Sequence, residues 1–273
     1  MKASVVVTTY NRPDALASVL QALAAQKDRD FEVLVADDGS RQETAHLVQR
    51  MARDFPVPLL HVWQEDIGFR AGAARNRACA QASGQYLIFI DGDCIPLPDF
   101  VSRHKRLAER GWFVAGNRIL LSESFTSQTL THQLALHQHS KLQWFIDRWL
   151  GRINRWLPLL QLSDAGWRKK SPRRWQGART CNLAVWKQDF TSVNGFDEAY
   201  AGWGHEDADL AVRLIRAGTQ RKDGRFATAV LHLWHRENDR SQLEENVRRL
   251  QLILSSERIQ AQQGLNQYLP PSA

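Results

Sequence analysis

The chain has 273 residues, is 43% hydrophobic and carries a formal net charge of +7. That length suits one large domain, or one domain with a substantial subdomain, and the apolar content suffices for a core. No apolar run approaches the ~18 residues of a membrane span, and three cysteines without CxxC spacing (Cys79, Cys94, Cys181) argue against a disulfide framework or a zinc knuckle.

The opening stretch, "MKASVVVTTYNRP", has one lysine and a very short apolar run. It reads as a first strand (residues 3–9) rather than a secretion signal, so a cytosolic chain is expected. Pro13 suits the first turn of a helix, and Leu16, Val19, Leu20 and Leu23 recur at helical spacing. "FEVLVADD" (31–38) predicts a second strand. "QETAHLVQRMARDF" (42–55) predicts a helix with Ala45, Leu47, Val48 and Met51 inward. A third strand, "PLLHVWQ" (58–64), a small-residue helix, "AGAARNRACAQASG" (71–84), and a fourth strand, "QYLIFIDGD" (85–93), follow. Apolar strands alternating with helices predict an α/β fold whose mostly parallel central sheet is covered on both faces.

Beyond residue 99 the pattern loosens. "DFVSRHKRLAER" predicts a helix and "GWFVAGNRILL" one more strand, while residues 122–162 read as mostly helical and amphipathic. "SDAGWRKKSPRRWQGART" (163–180) is too polar and broken for either element and is expected to be a mobile loop. Residues 207–217 predict a helix stopped by Gly218. "RFATAVLHLWH" predicts a strand, 241–263 a closing helix, and "YLPPSA" a frayed tail. Between residues 141 and 179 ten basic residues face only Asp147 and Asp164, and five of the ten tryptophans lie there. Such a segment suits an anionic surface such as lipid head groups, a phosphorylated glycan or nucleic acid. The alternative is a solvated cationic face whose tryptophans pack inward.

In open parallel sheets, ligands sit beyond the carboxyl ends of the strands where the strand order reverses. The first strand ends in "TTYN", the second in "DDGS" and the fourth in "DGD". If the first and fourth are neighbours, Thr8, Tyr10, Asp91 and Asp93 line one cleft. Carboxylates crowded there repel and need a cation or hydrogen-bond donors. Mg²⁺ or Mn²⁺, bound by carboxylates together with substrate phosphates, suits that need. "TTYNRPD" lacks the glycine pattern of a dinucleotide site. A calcium loop from Asp91 would place Ile95 at a ligand position. Turn and cap roles for the aspartates are the remaining alternative.

The ordered set "VVVTTYNRP", "EVLVADDGS", "AARNRA" and "GQYLIFIDGDCIP" resembles the family 2 glycosyltransferases, which have the GT-A nucleotide-sugar fold. "NGFDEAYAGWGHEDADLAVRL" is similar to the carboxyl-terminal region shared by galactosyltransferases and bacterial chondroitin-type polymerases. The resemblance implies a nucleotide-sugar-binding half (1–120), a helical, basic, Trp-rich insertion (121–178), and an acceptor and catalytic-base region with a C-terminal helix (179–273), all in one domain. It implies an inverting, metal-dependent transfer from a nucleotide-diphosphate sugar, with UDP expected, to a glycan or glycolipid acceptor in surface polysaccharide or lipopolysaccharide synthesis. Thr8, Tyr10 and Asn11 would flank the nucleotide, with Tyr10 stacking on the base. Asp38 would accept a hydrogen bond from uracil, and Arg75 would reach the base or a phosphate. Asp91 would contact the ribose or the metal, and Asp93 would ligate Mn²⁺ or Mg²⁺.

The resemblance also makes Asp207 the base and has Glu206 bind donor or acceptor hydroxyls, against a helix-capping alternative for both. Residues three apart on a regular strand face opposite sides, so one of His232 and His235 is expected in the cleft. The family's histidine ligand favours His235, and an imidazole favours Mn²⁺. Trp203, between Gly202 and Gly204, is expected to be a sugar platform, with Asp197 and Asn182 on the same acceptor wall. Cys94 and His205 receive no role. A peripheral position on an anionic membrane face is expected, and no nucleic-acid partner. Two other readings remain: a nucleotidyltransferase of similar fold, whose usual glycine-rich N-terminal loop is missing, and a non-catalytic glycan-binding module.

Overall fold

The computed structural model describes residues 1–236 and 239–270; the last three residues of the expected tail lie outside the described residues. In chain order the elements are β1 (Ala3–Thr9), α1 (Pro13–Ala24), β2 (Phe31–Asp37), α2 (Gln42–Ala52), β3 (Leu59–Trp63), α3 (Ala71–Gln81), β4 (Tyr86–Asp91), β5 (Cys94–Pro96), α4 (Phe100–Leu107), β6 (Trp112–Ala115) and β7 (Arg118–Leu120). Then follow α5 (Glu123–Thr131), α6 (Lys141–Trp149), β8 (Asn182–Trp186), α7 (Lys187–Ser192), α8 (Glu206–Arg216), β9 (Gln220–Asp223), β10 (Val230–His232) and α9 (Leu243–Leu254). No described helix is long and apolar enough to cross a membrane.

The strands form a seven-stranded sheet, β3-β2-β1-β4-β8-β6-β9, and a small sheet, β5-β10-β7. β1, β2, β3 and β4 run parallel, and β8 is antiparallel to both β4 and β6. Val5 and Val7 of β1 pack on one side with Leu16 and Leu20 of α1; Val6 packs on the other with Ala74 of α3 and Leu210 of α8. Both faces of the strand are therefore dry, which is why it reads as a continuous apolar run rather than an alternating one. Alanines and a glycine dominate the buried positions of α3, so its backbone can lie close to the sheet.

From β1 the chain crosses to β2 on one side, and β4 returns to the other side of β1. That reversal is the switch point where a crevice opens. Thr8 is in register with Asp91, and Thr9 with Asp37. Gly92 allows the turn after β4 to fold against β1: its N–H donates to the Thr8 carbonyl at 2.7 Å, and a Cβ there would stand 3.0 Å from that same oxygen.

Several expectations need correction. "GWFVAGNRILL" supplies two strands, β6 and β7, one for each sheet, and β9 had no sequence signal because its four residues are all polar or charged. The closing helix is shorter than expected, ending at Leu254. Between residues 122 and 162 the regular helices are only α5 and α6, with short 3₁₀ turns. Residues 163–180 are irregular but pinned. The fully buried Arg168 donates to the carbonyls of Leu162 and Asp223 at 3.0 and 2.9 Å, and also to Arg225. A polar, proline-broken stretch thus holds its place through one arginine that collects main-chain carbonyls.

A second buried arginine fixes the far side. Arg213 of α8 is wholly buried, donates to Asp209 at 2.7 Å, and reaches the carbonyls of Val193 and Gly195. Removing one partner of such a pair strands a buried charge. Arg213→Met is expected to destabilise the protein by about 3–5 kcal/mol, read by denaturant unfolding. A loss within experimental error would show that the pair is dispensable.

Candidate active site

A cavity of about 970 Å³ opens at the carboxyl ends of β1 and β4, and Thr8, Tyr10, Asp38, Arg75, Asp91, Asp93, Trp203, Glu206, Asp207 and His235 all border it. At its floor lies Arg75 of α3, nearly inaccessible to solvent. Its Nε donates to Thr8 Oγ1 at 2.8 Å, Nη2 to Asp91 Oδ1 at 3.1 Å and Nη1 to Glu206 Oε1 at 3.1 Å. Arg75 thus borders the cavity with its guanidinium held by three protein groups. Its neighbour Asn76, which the sequence reading passed over, trades two hydrogen bonds with the backbone of Phe196 at 2.9 Å. One turn of α3 thus holds both the cleft floor and the loop that leads to α8.

Asp38 is buried, and both its oxygens are engaged, by Gln64 Nε2 at 2.6 Å and by the Arg70 N–H at 2.7 Å. Burial lifts its pKa to about 6 despite these donors. A carboxylate has lone pairs for a further donor. Its neighbour Asp37 is sequestered: His61 Nε2 lies 2.7 Å from it and the Ser40 N–H donates to it at 2.8 Å. Tyr10 presents an exposed ring to the cavity, and its hydroxyl donates to Asp66 at 2.9 Å.

Three expected residues lie elsewhere. Asn11 takes a left-handed backbone, φ 48°, and its side chain accepts from the Arg41 N–H, tying the loop after β1 to the loop after β2 rather than lining the cavity. Asn182 is buried at the start of β8, where it bridges His104 at 3.0 Å, the Asn117 carbonyl at 2.9 Å and the Thr228 carbonyl. Asp197 is buried too, accepting from the N–H groups of Ala199 and Gln262 and pairing with Arg258 at 3.2 Å. These polar groups satisfy backbone and charge inside the fold, and none borders the cavity.

Asp93 sits in the turn between β4 and β5. The pairing of β5 with β10 puts Cys94 opposite His232, and the Leu233 N–H donates to the Asp93 carbonyl at 2.9 Å. β10 ends at His232, so the alternation argument lapses one residue later and both histidines reach Asp93. His232 Nε2 lies 3.7 Å and His235 Nε2 3.4 Å from its carboxylate, with the rings 5.2 Å apart. Nδ1 of His235 is 2.7 Å from the Arg236 carbonyl. A carbonyl only accepts, so Nδ1 carries a proton and donates to it, while Nε2 points toward Asp93. This is the arrangement of a metal-ligating imidazole whose other nitrogen is fixed by a backbone oxygen. Asp93, Cys94 and His232 hold potential ligand atoms within 4.8 Å of one another. Burial drives the Cys94 thiol well above its ordinary pKa, so it stays protonated and a poor ligand. The remaining oxygen and imidazole donors fit a cation such as Mn²⁺.

Opposite stands the amino end of α8. His205 (φ 74°) and its neighbours Gly202 and Gly204 all take left-handed backbones, and a Cβ on Gly202 would stand 2.7 Å from Gln242. The turn they form delivers Glu206 and Asp207 to the first helical turn, where the dipole favours anions. Among the described residues Asp207 makes one local bond, accepting from the Ala208 N–H at 2.8 Å. Enclosure in the cleft, with the Glu206 charge beside it, pushes its pKa up to about 7. Burial also raises Asp91, to about 6, against the pull of Arg75. Trp203 borders the cavity with the Arg240 guanidinium 5.2 Å from its ring centre. Trp175 and Arg179, from the segment read as a mobile loop, also border it; only their place in a basic, aromatic window hinted at that.

With this geometry in hand, residues 4–160 match glycosyl transferase family 2, and residues 163–236 match the N-terminal domain of galactosyltransferase. The chain belongs to glycosyl transferase family 2. It carries that family's transferase domain with a galactosyltransferase-type region after it. A validoxylamine A glucosyltransferase of Streptomyces hygroscopicus subsp. jinggangensis is 31% identical over 234 residues, spanning 79% of this chain and 51% of the relative. The hyaluronan synthase of Pasteurella multocida is 29% identical across 79% of this chain and 23% of its own length. For the chondroitin synthase of Escherichia coli the figures are 28%, 79% and 32%. The chain thus spans about half the first of these relatives and at most a third of the other two. Among solved structures, S. aureus TarS 1-349 in complex with UDP superposes with a TM-score of 0.62 at 14% identity, covering 98% of this chain and 68% of that one. Mannosyltransferase PcManGT from Pyrobaculum calidifontis, in complex with GDP-Man and Mn²⁺, gives 0.57 at 18% identity, covering 86% and 57%. The fold is therefore of the GT-A type.

The Asp207 shift fixes a sign. A folded-state pKa raised from 3.8 to about 7 means that folding favours the proton. The stabilising contribution is full below the ordinary carboxylate range and is lost as pH rises through about 7. Melting curves of Asp207→Asn and wild type are expected to separate from about pH 4 to pH 8, the variant gaining on the wild type as pH increases. Parallel curves would show that Asp207 ionises as freely as a surface carboxylate.

Proposed function

We propose that the chain is an inverting, metal-dependent glycosyltransferase that moves a sugar from a UDP-sugar to a glycan or glycolipid acceptor in surface polysaccharide or lipopolysaccharide synthesis. One observation carries the proposal: a single cleft at the switch point sets an Asp93–His235 pair, with His232 behind it, against a helix-start acid pair, Glu206 and Asp207. The UDP in the TarS complex, and the GDP-Man and Mn²⁺ in the mannosyltransferase complex, support a nucleotide-sugar donor with a divalent ion.

In this reading Tyr10 stacks on the base, and Asp38, held by Gln64 and Arg70, accepts from its imide N–H. Thr8 and Asp91, both fixed by Arg75, shape the floor beneath the ribose and diphosphate. Asp93 and His235, with His232 as a third donor, would hold Mn²⁺ or Mg²⁺; the ion neutralises charge on the leaving diphosphate. Trp203 offers a flat apolar face to a sugar ring, and Glu206 orients hydroxyls. The acceptor oxygen attacks the anomeric carbon as the bond to the diphosphate breaks on the opposite face. Asp207 takes the acceptor proton. One base suffices, since inversion occurs in a single displacement. A base with a pKa near neutrality is well matched to that transfer at neutral pH.

Two measurements test this. UDP with Mn²⁺ is expected to stabilise the wild type by about 2.7 kcal/mol at a hundred times Kd, and either alone by less, with the gain abolished in Asp93→Ala. Equal stabilisation of that variant would remove Asp93 from the ion's ligands. Asp207→Asn is expected to lower kcat by about 10²–10⁴-fold while sparing donor affinity. A variant that turns over at the wild-type rate would end the assignment of the base.

A further inference from the structure

The basic, Trp-rich window does not behave as one unit. Trp144 is buried against His139, Trp156 packs edge-on to Phe145, Trp167 lies against Phe226, and Trp175 faces the active-site cavity. Trp149 alone stands out, 82% exposed. It belongs to an outward stripe on and just beyond α6: Leu142 (68% exposed), Phe145, Ile146, Trp149 and Leu150. Their spacing, i, i+3, i+4, i+7, i+8, is that of a helix face built to be covered. Yet the residues α6 turns inward are Trp144 and Asp147. The Phe145–Trp156 contact extends the stripe to the exposed Leu157.

The charges around the stripe are cationic. Asp147, the one acid in this stretch, is buried between His139 and Arg152, so it offers no negative charge outward. Lys141, Arg148 and Arg155 are exposed, and no ion pair to them is found among the described residues. Apolar and aromatic side chains on one face, flanked by unneutralised cations, match a helix that lies in a bilayer interface. We infer that α6 and the turn after it form an in-plane anchor for an anionic lipid surface, with Trp149 and Phe145 entering the acyl boundary and Arg148 and Arg155 meeting head-group phosphates.

The anchor is joined to the active site through α5. Thr126 and Leu130 of that helix border the cavity, while its Phe125 carries the Arg152 guanidinium 5.1 Å above the ring. A surface held at α6 therefore lies one helix away from the cleft wall, a position suited to an acceptor that resides in the same membrane. The inference goes beyond the transferase reading and does not rest on it.

The test is co-sedimentation of the full chain with vesicles of phosphatidylcholine alone and of an equimolar mixture with phosphatidylglycerol. The wild type is expected to bind the anionic vesicles, less so at raised salt. Phe145→Ser/Trp149→Ser should bind about tenfold or more weakly, and Arg148→Gln/Arg155→Gln should lose the salt-sensitive part. All four side chains are exposed, so melting temperatures should match the wild type. Wild-type protein that stays in the supernatant, or a serine variant that binds equally well, overturns the inference. A wild-type dimer that the serine variant turns into a monomer, without lipid binding, would assign the face to a second copy instead and equally overturn it. The UDP-dependent melting shift, read on the same samples, separates the two readings: its absence would sink the UDP-donor assignment and leave the surface standing.

Discussion

The cleft depends on one buried cation. Arg75 is taken out of water by α3 and the sheet, at a cost that only close anions offset. Asp91 on β4 and Glu206 on α8 supply them, and Thr8 on β1 fills the third donor. Those three residues come from elements far apart in the chain, so the same guanidinium that needs neutralising also sets the distance between the two halves of the site. The dependence runs both ways. Without Arg75, Asp91 and Glu206 would face each other and Asp207 uncompensated; burial first, and the neighbouring acids after it, already raise the pKa values of Asp91 and Asp207.

The other side of the cleft is organised by backbone rather than charge. Gly92 lets the turn after β4 fold onto β1, which places Asp93 beside the short strand β5. β10 then pairs with β5 in the register that sets His232 opposite Cys94, and the chain leaves the ladder at once. That early exit is what permits His235 to swing to the same carboxylate as His232. On the acid-pair side, the run of left-handed residues before α8 does comparable work, since it opens the helix at Glu206, within reach of Arg75. Local backbone choices of this kind are tolerated where surrounding packing fixes them, and here Arg213 and Asn76 lock the loop that precedes the turn.

Much of this was legible in the sequence because it follows from periodicity and strand ends. The strand–helix alternation gave the parallel sheet, and the carboxylates at the ends of β2 and β4 had to share an edge once β1 lay between them. What escaped notice has a common cause. Asn182 and Asp197 look like cleft residues because they are polar and adjoin motifs, yet a buried amide that satisfies three partners has the same local sequence as one that meets a ligand. Asp37 and Asp38 are adjacent and identical, and only tertiary contacts decide that His61 sequesters one while the other borders the cavity. β9, with no apolar residue, is a strand because β6 supplies the ladder beside it. Propensity yields to tertiary context in each case.

The cleft gathers charge of both signs, for Arg12, Arg118, Arg179 and Arg236 border the cavity as well as Arg75. Asp91, Asp93, Glu206 and Asp207 converge on a cavity whose floor offers them one buried arginine, and the Asp93–His235 edge lies beyond its reach. The two imidazoles there are held differently: burial lowers the pKa of His232, and Nδ1 of His235 lies 2.7 Å from the Arg236 carbonyl. With Arg75 held by Thr8, Asp91 and Glu206, the Asp93 edge and the acid pair stand as two separate walls of one cavity.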